Sequence, residues 1–161
     1  MNPKVEEFLE ASSCHFRSAP AEVDAAIERL GVTPPRPFIE FYRRYRGVFG
    51  SRHTAFELAE IVGHAEELTT VGRTVHHFPT SMIVLSEEVA DAVLVYDTKK
   101  DAVYVVDFER SDQELKEGKL EPCWRSFEEF LAFYFIGVGV DEPILTVEQD
   151  IPGYLENPCE P

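Results

Sequence analysis

Three short apolar runs stand close together in the middle of the chain: Met82 to Leu85, Ala92 to Tyr96 and Ala102 to Phe108. Each is rich in Val, Ile, Leu and Tyr and is bounded by charged residues that suit turns, the pattern of strands joined by hairpins. The polar connection Asp97-Thr98-Lys99-Lys100-Asp101 has an ordinary hairpin length. A three-stranded antiparallel meander is therefore expected. Apolar residues fill both alternating sets, with Ala92, Leu94 and Tyr96 on one side and Val93 and Val95 on the other. Val103 and Val105 alternate in the same way with Tyr104, Val106 and Phe108. A sheet with one wet face would alternate apolar with polar, so this pattern predicts helices over one face and partial cover over the other.

The helical period appears on either side of the meander. Asn2-Pro3 with Val5, Phe8 and Leu9 predicts a short helix capped by Asn2. From Pro20 to Leu30, Val23, Ala26, Ile27 and Leu30 follow i, i+3, i+4, i+7, with Gly31 as a C-terminal stop and the stripe expected to face the sheet. Two prolines, Pro34 and Pro35, forbid its continuation. A second strong helix starts at Pro37, with Phe38, Phe41, Tyr42 and Tyr45 on one face and the arginines Arg43, Arg44 and Arg46 off it. At Ser126-Phe127-Glu128-Glu129 a capping box opens a third, with Phe127, Phe130, Leu131, Tyr134 and Phe135 on one aromatic face. Gly137 ends it, and Trp124 is expected under its start.

The remaining segments are less regular. Cys14 to Arg17 reads as a brief extended segment, and Phe56-Glu57-Leu58 with Ile61-Val62 as a strand or a strand running into a helical turn. Gly63 to Thr80 holds two glycines, His76-His77 and Pro79, and reads as loop with a short helix at His64 to Leu68. Glu109 to Glu121 is too polar to be buried and reads as a solvated loop or a long hairpin end. The end, residues 141–161, carries four prolines around Ile144-Leu145-Thr146-Val147 and is expected to add an edge strand or wrap the surface as a mobile extension.

At 161 residues, 44% of them hydrophobic, the chain suits one domain with one well-filled core. No apolar run approaches the roughly 20 residues of a membrane span, and the start is acidic where a signal peptide would be basic and then apolar, so a cytoplasmic protein is expected. Three widely spaced cysteines and five histidines show no metal-ligand spacing, and no metal or cofactor is implied. Charge adds more. The net charge is −15, and it is uneven: residues 1–86 hold 9 basic and 11 acidic residues, residues 87–161 hold 6 and 19. Such a surface repels nucleic acid and attracts a basic protein. No nucleophile elbow, HExxH helix or phosphate-binding loop is present, and Glu129 is explained by capping, so an enzyme is not expected.

Several local motifs carry a resemblance. Glu28-Arg29-Leu30-Gly31, the Pro-Pro linker, Phe38-x-x-Phe41-Tyr42-x-x-Tyr45-x-Gly47, Phe56-Glu57-Leu58, Val103-Tyr104-Val105-Val106 and Trp124-x-Ser126-Phe127-x-x-Phe130-Leu131 stand in an order that resembles the SMI1/KNR4 family, also called the SUKH superfamily. The likeness covers roughly Ala21 to Tyr134. It implies an α+β fold with a twisted, mainly antiparallel sheet and helices packed against it. Bacterial members most often act as immunity proteins that neutralise a toxin, and fungal relatives as regulators of cell-wall synthesis and signalling. Where that family commonly ends its second helix in an Asn-Gly turn, this chain has Arg46-Gly47-Val48-Phe49-Gly50.

The expected function is thus non-catalytic binding of a cognate toxin with a basic surface, such as a nuclease or another toxin that modifies nucleic acid. Acidic contacts are expected from Glu87, Glu88, Asp91, Asp97, Asp101, Asp107 and Glu109, which flank the hairpins. The alternative is an interaction scaffold or regulator, for which Arg43, Arg44, Arg46 and the proline-rich end would matter more.

Overall fold

The three apolar runs pair as their alternation predicts. In the computed structural model, which describes residues 1–12 and 19–139, β1 (Met82–Val84), β2 (Ala92–Asp97) and β3 (Ala102–Asp107) form an antiparallel sheet in the order β1-β2-β3. Ile83 lies opposite Tyr96 and Val84 opposite Val95, while Leu94 meets Val105 and Tyr96 meets Val103. One face therefore presents Ile83, Leu94, Tyr96 and Val103, and the other Val84, Val93, Val95, Tyr104 and Val106. Both sets are buried, in two separate clusters.

The first face carries the main core. Helix α1 (Pro3–Ala11) begins as expected, with Asn2 Oδ1 accepting from the Lys4 amide at 2.9 Å. Helix α2 (Pro20–Leu30) ends at Gly31 in the left-handed region, φ 71°. Its stripe is buried, but its chief neighbours are α3 (Arg36–Arg44) and the turn Ile61–Ala65, so it reaches the sheet through α3. Phe38, Phe41, Tyr42 and Tyr45 are fully buried, and the Phe38 ring stacks on Tyr96 of β2 at 4.8 Å and 6°.

The helix opened by the capping box is α6 (Phe127–Ile136), with Ser126 Oγ accepting from the Glu129 amide at 3.0 Å. Ala132 and Phe133 are buried as well as the expected face, so only Glu128 and Glu129 in its first turn are exposed, with Ile136 half-buried at its end. Trp124 lies beside it, 5.1 Å from the rings of both Phe130 and Phe133. Gly137 ends the helix at φ 70°, and a Cβ there would stand 2.6 Å from the His53 ring, so close approach as well as backbone conformation requires glycine. The fold is α+β, with helices packed against an antiparallel sheet.

Two hydroxyls in this core differ in what they bond. Tyr134 Oη accepts from the Leu58 amide at 2.9 Å and donates toward the carbonyls of Phe56 and Phe49, holding the loop in which Phe49 bridges Leu58. Tyr42 Oη is buried with no hydrogen-bond partner among the described residues, and desolvation drives its pKa far above the ordinary tyrosine value. Tyr134→Phe is therefore expected to lower unfolding free energy by about 1–3 kcal/mol, while Tyr42→Phe leaves it unchanged or slightly raised. Urea denaturation of the two variants checks this, and equal losses would count against it.

Three segments depart from the sequence reading. Gly63 to Thr80 is mostly helix: after a turn bent at Val62 and Gly63, α4 runs over Glu66–Val75. Its inner face uses Thr69 and Gly72, which carry no apolar signal. A Cβ on Gly72 would lie 2.9 Å from atoms of Phe78 and Val84, so the glycine lets the helix approach β1 closely. Thr69 Oγ1 accepts from the Val84 amide at 3.0 Å, and Arg73 donates to the carbonyls of Leu30, Thr80 and Met82 at 2.8, 2.6 and 3.3 Å. Side chains of α4 thus occupy the outer edge of β1.

The segment expected as a strand, or a strand running into a helical turn, at Phe56 to Val62 pairs only through the Phe49–Leu58 bridge and one bond from the Ala59 amide to the Leu85 carbonyl at 2.8 Å before it enters the turn Ile61–Ala65. The expected loop after β3 contains a short helix, α5 (Asp112–Lys116), anchored by buried Leu115 on the second face of the sheet. The turn after α3 places Gly47 at φ 133°. The readings of Cys14 to Arg17 and of residues 141–161 lie outside the described residues. No helix among the described residues is long and apolar enough to cross a membrane.

Candidate functional site

A three-stranded meander has two ends, and the seven acidic residues singled out above divide between them. Asp97 and Asp101 sit at the β2–β3 hairpin. Asp97 is 3% exposed, and its Oδ1 accepts from the amides of Lys99 and Lys100 at 2.9 and 3.3 Å. Asp101, at φ 52°, accepts from Tyr96 Oη at 2.7 Å and from the Phe127 amide at 3.2 Å, tying the hairpin to the start of α6. These carboxylates build the turn.

The other five gather about 17 Å away, five residue steps along the strands. Val89 and Ala92 exchange both backbone bonds, at 2.8 and 3.0 Å, around a two-residue turn in which Ala90 and Asp91 both have positive φ, 50° and 62°. The Phe108 amide donates to the Asp91 carbonyl at 2.9 Å, so the turn lies against the end of β3. Asp107 is half-buried and accepts from the Glu109 amide at 2.8 Å. Glu87, Glu88, Asp91 and Glu109 are exposed.

Most of the arginines are elsewhere, although Arg110 follows Glu109 at this end. Arg29 pairs with Glu66, Arg36 with Glu40, Arg43 with Asp24, Arg44 with Glu6 and Glu10, and Arg46 with Glu22 and Glu60. Near the acidic end, Glu87 meets His64 Nε2 at 2.7 Å. Glu88, Asp91 and Glu109 have no basic side chain in ion-pair range among the described residues. These pairs engage arginines of the N-terminal half, while at this end five carboxylates outnumber the basic side chains beside them, His64 and Arg110.

Beside these carboxylates runs a groove that the sequence reading missed. It measures about 280 Å³ and lies between α4 and the second face of the sheet. Phe78, Val84 and Val93 form its floor, His76 and Phe108 one wall, and Glu87 and Glu88 its mouth. The His76 ring stacks on Phe108 at 4.0 Å and 19°. Val71, on the lip, is 51% exposed, and Val75 one turn on is 62% exposed. A Gly inside a helical segment, with Val71 and Val75 four apart, was the available signal.

The sequence pattern of the SMI1 / KNR4 family (SUKH-1) matches residues 18–132. The chain belongs to the SMI1/KNR4 family. The match takes in α2 through most of α6, and with them the meander, the acidic end and the groove. No curated protein matches the chain. Among the described residues of this SUKH-1 chain, no three His, Cys, Asp or Glu side chains are placed to share a metal ion. Cys123, partly buried, has its thiol pKa pushed up by desolvation, the opposite of a reactive thiolate.

Proposed function

We propose that this SUKH-1 chain is a non-catalytic immunity protein that binds and neutralises a cognate toxin with a basic surface. The observation that carries the reading is the gathering of the exposed carboxylates Glu87, Glu88, Asp91 and Glu109, with Asp107 behind them, at one end of the meander, where Glu88, Asp91 and Glu109 have no ion-pair partner among the described residues. A toxin that cuts or modifies nucleic acid needs a cationic groove to hold phosphates. Carboxylates laid into that groove compete with the substrate and steer association. The cytoplasm is where such a toxin would be met.

A regulatory scaffold would draw instead on Arg43, Arg44 and Arg46. Those arginines pair with the chain's own carboxylates, and the proline-rich end on which that reading also draws lies outside the described residues. Affinity capture of the tagged full chain from its source lysate at low salt, followed by stepwise salt elution, tests the proposal. One stoichiometric partner is expected, eluting as salt rises, and lethal to cells unless this chain is co-expressed. Recovery of a harmless regulatory or envelope partner would overturn the immunity reading.

A further inference from the structure

We propose that the groove between α4 and the meander seats an apolar side chain, aromatic or branched aliphatic, which the partner protein carries between basic residues. This names the partner chemistry of the acidic end and rests on the reading above.

The groove presents two opposite demands within one opening. Its interior is mainly hydrocarbon, from Phe78, Val84 and Val93, with the buried Ser86 hydroxyl taken up by the Leu94 amide and Gly72 contributing no side chain to fill it. Its mouth holds the carboxylates of Glu87 and Glu88, and Glu88 has no cation in range among the described residues. A purely apolar occupant would strip water from those carboxylates without replacing it. A purely basic occupant would leave the floor wet. A segment reading basic–apolar–basic meets both, placing its apolar residue on Phe78 and Val84 and its ammonium or guanidinium groups on the acidic mouth. The volume suits one or two side chains, and an apolar anchor inside a polar rim is the arrangement that concentrates binding energy at protein interfaces.

Charge also argues against the occupants nearest to hand. A second copy would bring another net −15 to an acidic mouth. Residues 140–161 hold six acidic residues and no basic one, so the chain's own end is repelled in the same way.

The test uses two fluorescein-labelled synthetic peptides of equal charge, each with three basic residues on either side of a central pair, Phe-Leu in one and Ser-Ser in the other. Anisotropy at low salt gives their affinities for the full chain and for Val71→Glu and Val71→Arg. Val71 is half-exposed on α4, so both variants should fold, which thermal melts check. For the parent chain the Phe-Leu peptide is expected to bind about tenfold or more tightly than the Ser-Ser peptide, the gain from burying one large apolar side chain. In both variants that preference should fall to within about twofold, whatever the sign of the new charge, because either one wets the lip. Equal affinities in the parent, or a preference unchanged in both variants, would overturn the groove while leaving the acidic surface standing. If neither peptide binds at low salt, the groove and the acidic surface fall together.

Discussion

Replacing Glu87, Glu88 and Glu109 by Gln and Asp91 by Asn is expected to weaken binding of the proposed toxin partner by roughly a hundredfold at low salt. The four side chains are exposed and come from two separate stretches, the β1–β2 connection and the end of β3, which the fold brings together. Gln and Asn keep size and hydrogen bonding, and Asn tolerates the left-handed backbone that Asp91 adopts. Charge is what changes. Most of the loss should fall on the association rate, and the salt dependence of binding should flatten with it, since a Debye length of about 8 Å at physiological salt already screens exposed charges. Glu7→Gln with Glu28→Gln, exposed acids on α1 and α2, serves as the control that should cost little. Stopped-flow association at two salt concentrations reads both quantities. An unchanged rate and an unchanged salt slope in the quadruple variant would remove the acidic end from the interface.

The second large effect belongs to the core. Phe127→Ala is expected to destabilise the chain by about 3–5 kcal/mol, a large part of the roughly 5–15 kcal/mol that holds a small domain together. The Phe127 ring is fully buried with the Phe38 ring at 4.8 Å, Tyr96 at 5.3 Å and Phe41 at 5.8 Å. It therefore joins α6 to α3 and to β2 at once. Rings fixed from three directions cannot close over the space a benzyl group leaves, so the cavity cost adds to the lost burial. Denaturant unfolding measures it. A loss under about 2 kcal/mol would mean that α3 and α6 move together to fill the gap.

What could be read in advance follows from where the information lies along the chain. The strands, α2, α3 and α6 declare themselves because apolar periods of two and of three to four coincide with caps and stops, as at Ser126, Gly31 and Gly137. Helix α4 was hidden because the side it turns inward is Thr69 and Gly72, residues chosen for close approach and hydrogen bonding to β1. The single buried Leu115 gives α5 no period at all. Among the acids, the sequence placed seven near hairpins but could not say which end of the sheet each would reach. Asp97 and Asp101 stand at both ends of a five-residue turn, where a buried Asx bond and a left-handed residue are ordinary structural work. The groove could not be read locally, because Val71, Val84, Val93 and Phe108 meet only when four separate stretches fold together.

The hold of α4 on β1 bears on how this chain would fail. The outward amide of Val84 and the outward carbonyl of Met82 are satisfied by Thr69 and Arg73 instead of by another strand. Should α4 lift away, the first thing uncovered is a short apolar strand with open hydrogen-bonding positions, a template for another copy of the same strand. Protection of this strand edge therefore rests on a helix with a glycine in its middle. Loss of soluble protein in a crowded cell would begin there, well before the aromatic core came apart.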